Sequence, residues 1–309
     1  VLVAKKKGIV TALSFAIVFV ALIGISVWSV YFSGPAIYHF PEKINITSSD
    51  WMTLIPSQAD SVVMINVTKV VESGLPLSNT FTTFFFIQET RQTFSISNVT
   101  LLVTYYLPSS SPLQNETEIF LIKPSNDAYM NLQAALSNNS DIPRIQYLGF
   151  TLYSLHVSSA KFEKQASAIL FMYKKFIIYT VSSPSPLGAA EQAVGIYYSQ
   201  QNSLFTQNGV VKSVYAVVKN STNYLSLNLE NYPSTISGTV GGAKAVEKVG
   251  NQYVGVYAFQ FPSEDAARQH YSQVTFVYKG GLSYYLLDNF VVANIPYSPS
   301  QVPAELQGF

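Results

Sequence analysis

The chain has 309 residues, with 18 Lys and Arg against 17 Asp and Glu, and only 11% of it is charged. That balance supplies no basic surface of the kind nucleic acid needs. It contains no cysteine, which excludes disulfides, thiolate metal sites and cysteine nucleophiles.

The first element in chain order is the most explicit. Lys5, Lys6 and Lys7 precede a run, residues 8–32, that carries no charge. As an α-helix these 25 residues would extend roughly 37 Å, more than the roughly 30 Å of a hydrocarbon core. Trp28 and Tyr31 suit the far interface, and the lysines belong on the cytoplasmic side, so residues after 34 are expected outside the cell. The run is longer than the apolar core of a cleaved signal, and Ser33-Gly34-Pro35 is a poor cleavage site. The expectation is a single retained transmembrane helix within residues 1–34, and a membrane-proximal linker over 35–54.

Lys5-Lys6-Lys7-Gly8 leading directly into an apolar helix resembles the class III leader of archaeal type IV pilins and related surface proteins. The resemblance is confined to about the first 30 residues. It implies a cut between Gly8 and Ile9 with the helix kept. The charge-poor mixture with 21 Tyr and 20 Phe resembles surface proteins of acid-loving archaea, in which few ionised carboxylates leave little stability to lose in acid. Six Asn-x-Ser/Thr sequons, at Asn45, Asn66, Asn98, Asn115, Asn138 and Asn220, are glycosylation candidates of an exported domain.

The remainder reads as a duplication. "EIFLIKPSNDAYMNLQAAL" (118–136) aligns without a gap to "VYAFQFPSEDAARQHYSQV" (256–274), and "ILFMYKKFIIYTV" (169–181) to "SYYLLDNFVVANI" (283–295). A looser match joins 61–69 to 213–221. Copy one is expected over 55–200 and copy two over 201–309, both α+β with mostly antiparallel sheets. Ser125 and Ser263 stand where N-caps belong, which makes Asp127 and Asp265 helix-start residues and not acid–base catalysts. The helices are expected to end near 137 and 277. Hairpins should follow, turning at Lys174-Lys175 and Asp288-Asn289. A long helix is predicted over 68–89, a strand over 93–107, a hairpin over 145–157, and strands near 210–219, 224–229 and 253–261.

The sequence offers little to chemistry. His39, His156 and His270 do not stand at metal-ligand spacing, and His270 takes the place of Leu132 in the sister copy. "SGTVGGAK" (237–244) lacks the spacing and hydroxyl of a phosphate loop and reads as a turn. The pairs Tyr105-Tyr106, Tyr197-Tyr198 and Tyr284-Tyr285 read as sheet packing more than as a binding face. No catalytic, cofactor or metal site is expected. The reading is a membrane-anchored surface protein with a structural or interaction role, its partners the lipid bilayer and envelope proteins, or itself. The alternatives are a pilin-like filament subunit and a solute receptor with a groove between the copies.

Overall fold

The computed structural model describes residues 37–38, 50–72, 83–107, 117–159, 162–181, 186–198, 203–218, 224–228 and 236–297. The lysines, the uncharged run, the Gly8–Ile9 junction, His39, Asn45, Asn115 and Asn220 lie outside these residues. Among the described residues no helix is long and apolar enough to cross a membrane.

Among the described residues the fold is α+β with one sheet of fifteen strands. They are β1 (Ile37–Tyr38), β2 (Ser61–Asn66), β3 (Thr83–Ile87), β4 (Gln92–Ser95), β5 (Val99–Leu107), β6 (Thr117–Pro124), β7 (Arg144–Tyr147) and β8 (Phe150–Ser159). Then come β9 (Phe162–Tyr173), β10 (Phe176–Thr180), β11 (Tyr224–Asn228), β12 (Gly241–Val249), β13 (Gln252–Gln260), β14 (Ser283–Leu287) and β15 (Phe290–Tyr297). The helices are α1 (Val67–Glu72), α2 (Asn126–Asn138), α3 (Pro186–Tyr198), α4 (Leu204–Gln207), α5 (Gly209–Val218) and α6 (Glu264–Val277), with a 3-10 turn at Asp50–Leu54.

The order across the sheet is β1-β14-β15-β13-β12-β11-β2-β5-β6-β10-β9-β8-β3-β4, with β7 on β8. Only the β1–β14 pair is parallel among these pairings. The run β2-β5-β6-β10-β9 has the same order as β11-β12-β13-β15-β14. The two runs meet through their first strands, β2 and β11, which pair antiparallel from Ser61↔Asn228 to Ile65↔Tyr224. This is the arrangement of two halves related by a half-turn about an axis normal to the sheet.

The central strands are apolar on both faces. Leu101, Val103, Tyr105 and Leu107 of β5 point into the main core, which also holds Val254, Val256, Phe290 and Val292 of the second half. Helices α3 and α5 and the 3-10 turn close that face through Val194, Val211, Val214 and Trp51. On the opposite face, α2 covers Phe120, Ile122 and Ile177 with Leu132 and Leu136. Helix α6 covers Phe259, Val291 and Ala293 with Ala267 and Val274.

Local signals behave as their chemistry requires. Ser125 Oγ accepts from Ala128 N at 3.3 Å and Ser263 Oγ from Ala266 N at 3.1 Å, with Asp127, Glu264 and Asp265 in the first turns. Both hairpins turn at the expected residues. Lys174 and Lys175 have φ of 48° and 66°, and Asp288 has φ of 50°. Residues 144–159 form the β7–β8 hairpin.

Three expectations are corrected. Of the helix predicted over 68–89, the described part is α1, Val67–Glu72, and residues 83–87 are strand β3. Its aromatic run TFFFI favours a strand, and Phe85 is fully buried, stacked on Phe94 at 4.5 Å. The strand predicted over 93–107 is broken into β4 and β5 by a turn in which Asn98 Oδ1 accepts from Ser95 N at 2.7 Å. The strand predicted near 210–219 is helix α5. Its valines favoured the strand reading, but Val211, Val214 and Val218 recur at helical spacing and pack as one stripe. The looser match of 61–69 to 213–221 therefore joins a strand to a helix. By its place in the sheet, the counterpart of β2 is β11.

Candidate functional site

The seam between the halves is where a ligand groove was an expectation, and Lys244, on β12 one strand from it, is a half-buried cation with a lowered pKa. Strand β12 alternates: Ala243 and Ala245 enter the main core, so Lys244 between them projects to the opposite face. It stands in a cross-strand row that runs Tyr257, Lys244, Ser226, Val63, Thr104, Phe120. The Lys244 ammonium lies 5.4 Å from the centre of the Tyr257 ring. Burial pulls its pKa down from 10.5 to about 8, because desolvation penalises the charged form. Three strands further on, the buried Thr104 Oγ1 finds no hydrogen-bond partner among the described residues. The row is a half-buried cation beside an aromatic ring. It holds no nucleophile–base pair. The signal for it in the sequence was a lone lysine among small residues in "GGAKAV", on the alternate face of a buried strand.

The histidines separate widely. His156, on β8, is bonded through Nδ1 to Glu89 Oε1 at 2.7 Å, and its backbone N–H donates to the same carboxylate at 3.0 Å. His270 stacks on Phe261 at 5.1 Å and bonds Gln273 Oε1 through Nδ1. It packs against Gly238, whose φ of +79° strains any side chain and where a Cβ would stand 3.1 Å from Nε2, so the ring would have to shift to admit one. Among the described residues no three His, Asp or Glu side chains are grouped as metal ligands. In "SGTVGGAK", Gly241 lies where any side chain would overlap Val210 of α5. Its role is to let the helix lie on β12.

Of the sequons, Asn138 ends α2 and is exposed. Asn66 is half-buried, and its Oδ1 accepts from Lys69 N at 3.1 Å. Asn98 is committed at both ends, since its Nδ2 donates to Thr93 O at 2.9 Å. It borders an open cleft of about 250 Å³ with Gln92, Ser125, Asp127 and Asn131.

Among the tyrosine pairs, Tyr105 and Tyr197 are buried and share a 2.8 Å hydrogen bond. Burial raises the pKa of both. Tyr106 donates to Glu118 at 2.8 Å, and Tyr198 is exposed. Tyr284 is half-buried beneath the loop 278–282. Its hydroxyl donates to Tyr278 O and accepts from Gly281 N.

No known family profile matches the chain, and no curated protein matches it. Among solved structures it is similar to crystal forms III, I and IV of the treponemal protein TP0453. The TM-scores are 0.48, 0.47 and 0.47, with 9%, 9% and 10% identity. The matches cover 85%, 84% and 84% of this chain and 99%, 98% and 97% of the other.

Proposed function

We propose that the chain is a single-span, membrane-anchored surface protein whose sheet serves as a rigid structural or interaction module outside the cell. The carrying observation is the uncharged run 8–32 behind Lys5, Lys6 and Lys7. The α+β body supports the reading: its main core joins residues from both halves, which favours one stiff unit built from two related α+β repeats. Envelope proteins or further copies of this chain are the partners of such a module, and the pilin-like leader would serve its export.

The test is the N-terminus and intact mass of protein taken from native membranes, together with protease protection of sealed cells. The reading expects extraction only by detergent, loss of the body to external protease, and an N-terminus at Ile9 or upstream of it. A chain that washes off with carbonate, or one starting beyond residue 34, overturns it. Sheared fibres containing the protein would replace the anchored module by a filament subunit.

Exposure ranks the described sequons: glycan mass should disappear with Asn138→Gln and not with Asn98→Gln. Mass spectrometry of the two variants checks the order.

A second reading, a receptor for a small anion at the seam, is favoured by Lys244 beside Tyr257. A thermal-shift screen with carboxylates, phosphate and acidic sugars tests it. Stabilisation that vanishes in Lys244→Met is the expected result, and no stabilisation by any of them removes it.

A further inference from the structure

Strand β1 runs parallel to β14, with Ile37 beside Leu286 and Tyr38 beside Leu287. Its N-terminal end therefore faces the end of the sheet at which β14 begins, the Leu282 end. The uncharged run closes at Phe32, five residues earlier. Even fully extended, five residues reach no more than about 18 Å.

The same end of the second half gathers four of its five exposed large apolar side chains, Val240 being the exception. Strand β13 runs away from this end and α6 returns to it, so α6 delivers Phe276 and Val277 there, 74% and 42% exposed. The loop to β14 adds Leu282 at 54%, and the tip of the β12–β13 hairpin adds Val249 at 55%. That tip is three strands from β14, about 14 Å at ordinary strand spacing. Of the nine large hydrophobic side chains exposed among the described residues, these are four. Lys279 lies in the same loop, its ammonium 6.0 Å from the Phe276 ring.

The loop is held in shape. The Tyr284 hydroxyl ties Tyr278 to Gly281, Tyr271 donates to Tyr284 O at 3.2 Å, and Leu282 N donates to Asn294 O at 2.7 Å. In the first half, the connection from α2 to β9 carries the β7–β8 hairpin. The second half runs from α6 to β14 through residues 278–282 alone.

We propose that Phe276, Val277, Leu282 and Val249 form a bilayer-contact face that seats the second half on the membrane beside the anchor. This rests on the anchored reading. Apolar side chains enter the acyl boundary while a lysine stem lies along them and carries its charge to the headgroups. The arrangement fixes the tilt of the sheet over the membrane.

The cysteine-free chain makes the test direct. Single variants Ala21→Cys, Phe276→Cys, Leu282→Cys, Val249→Cys and Ser237→Cys of the full chain are labelled with bimane. They are reconstituted in phosphatidylcholine–phosphatidylglycerol vesicles and quenched with nitroxide-bearing lipid. Ser237 is exposed near the opposite end, beside the Val240–Gln260 backbone bond. The expected result is quenching of about two-fold or more at 21, 276, 282 and 249, depths that buried and interfacial groups reach, with position 237 unaffected. Quenching at 21 with 276, 282 and 249 as unaffected as 237 overturns the contact face and leaves the anchor standing. Absence of quenching at 21 overturns both. Val249, on a different hairpin, keeps the result readable if Phe276→Cys perturbs α6.

Discussion

Tyr105 and Tyr197 are both buried in the main core and share one hydrogen bond at 2.8 Å. Removing one partner leaves the other buried and unsatisfied, which costs more than removing both. Tyr105→Phe is therefore expected to lower stability by about 1–3 kcal/mol, and Tyr105→Phe with Tyr197→Phe to recover much of it. Urea titrations of the single and double variants give the comparison. Asn98 shows the same economy: one side chain ties Thr93 O and Ser95 N across the turn between β4 and β5. The sequence marked it as a sequon, because the tripeptide is visible and the bond to Thr93 is not. Likewise the sequence showed that Lys244 was a lone lysine, but its burial depends on which face of β12 meets the main core, and that is set by strands distant in the chain.

At the scale of elements, the two P-S-(N/E)-D-A motifs were readable because capping is local: hydroxyl and amide lie three residues apart. Ser125→Ala and Ser263→Ala should each cost about 1 kcal/mol, measured as the loss in chemical denaturation. The Lys174-Lys175 turn was readable from its flanking strands although both residues hold positive φ, a conformation that suits neither. Lys174→Asn with Lys175→Gly is expected to raise stability by about 1 kcal/mol, a rise in the denaturation midpoint. Helix α5 was misread for a physical reason. Its composition is that of a strand, and the helical spacing of Val211, Val214 and Val218 is a short local signal that β-branched propensity outweighs. Packing of Val211 and Val214 under β12 and β13, with Gly241 making room for Val210, selects the helix.

At the scale of the molecule, the β2–β11 seam joins residues more than 150 positions apart, and single-sequence patterning carries no information about such a pairing. Because the main core continues through the seam, unfolding is expected as one transition, with fluorescence and circular dichroism curves superimposed. Its pH dependence has two arms. The folded Lys244 has a pKa of about 8 against 10.5 unfolded, so the unfolded chain binds the extra proton between these values. Stability should rise with pH across that window, and the rise should vanish in Lys244→Met. Buried Tyr105, Tyr179 and Tyr197 have raised pKa values, mainly by desolvation. Their stabilising share is intact below pH 10, where unfolded tyrosine begins to ionise, and falls as pH climbs further. Denaturation midpoints from pH 7 to 11, for wild type and Lys244→Met, separate the arms.

The two rungs that join β1 to β14 also have a mechanical meaning. Ile37 and Tyr38 lie along the edge strand and point the same way as it does, so tension drawn through the N-terminal chain along the strand axis stretches both rungs together instead of peeling them in turn. Beyond them the pull reaches β14 and then the β14–β15–β13 ladder, whose strands lie along the same axis. A tug at that end loads a two-residue pairing in shear before it loads the body of the sheet.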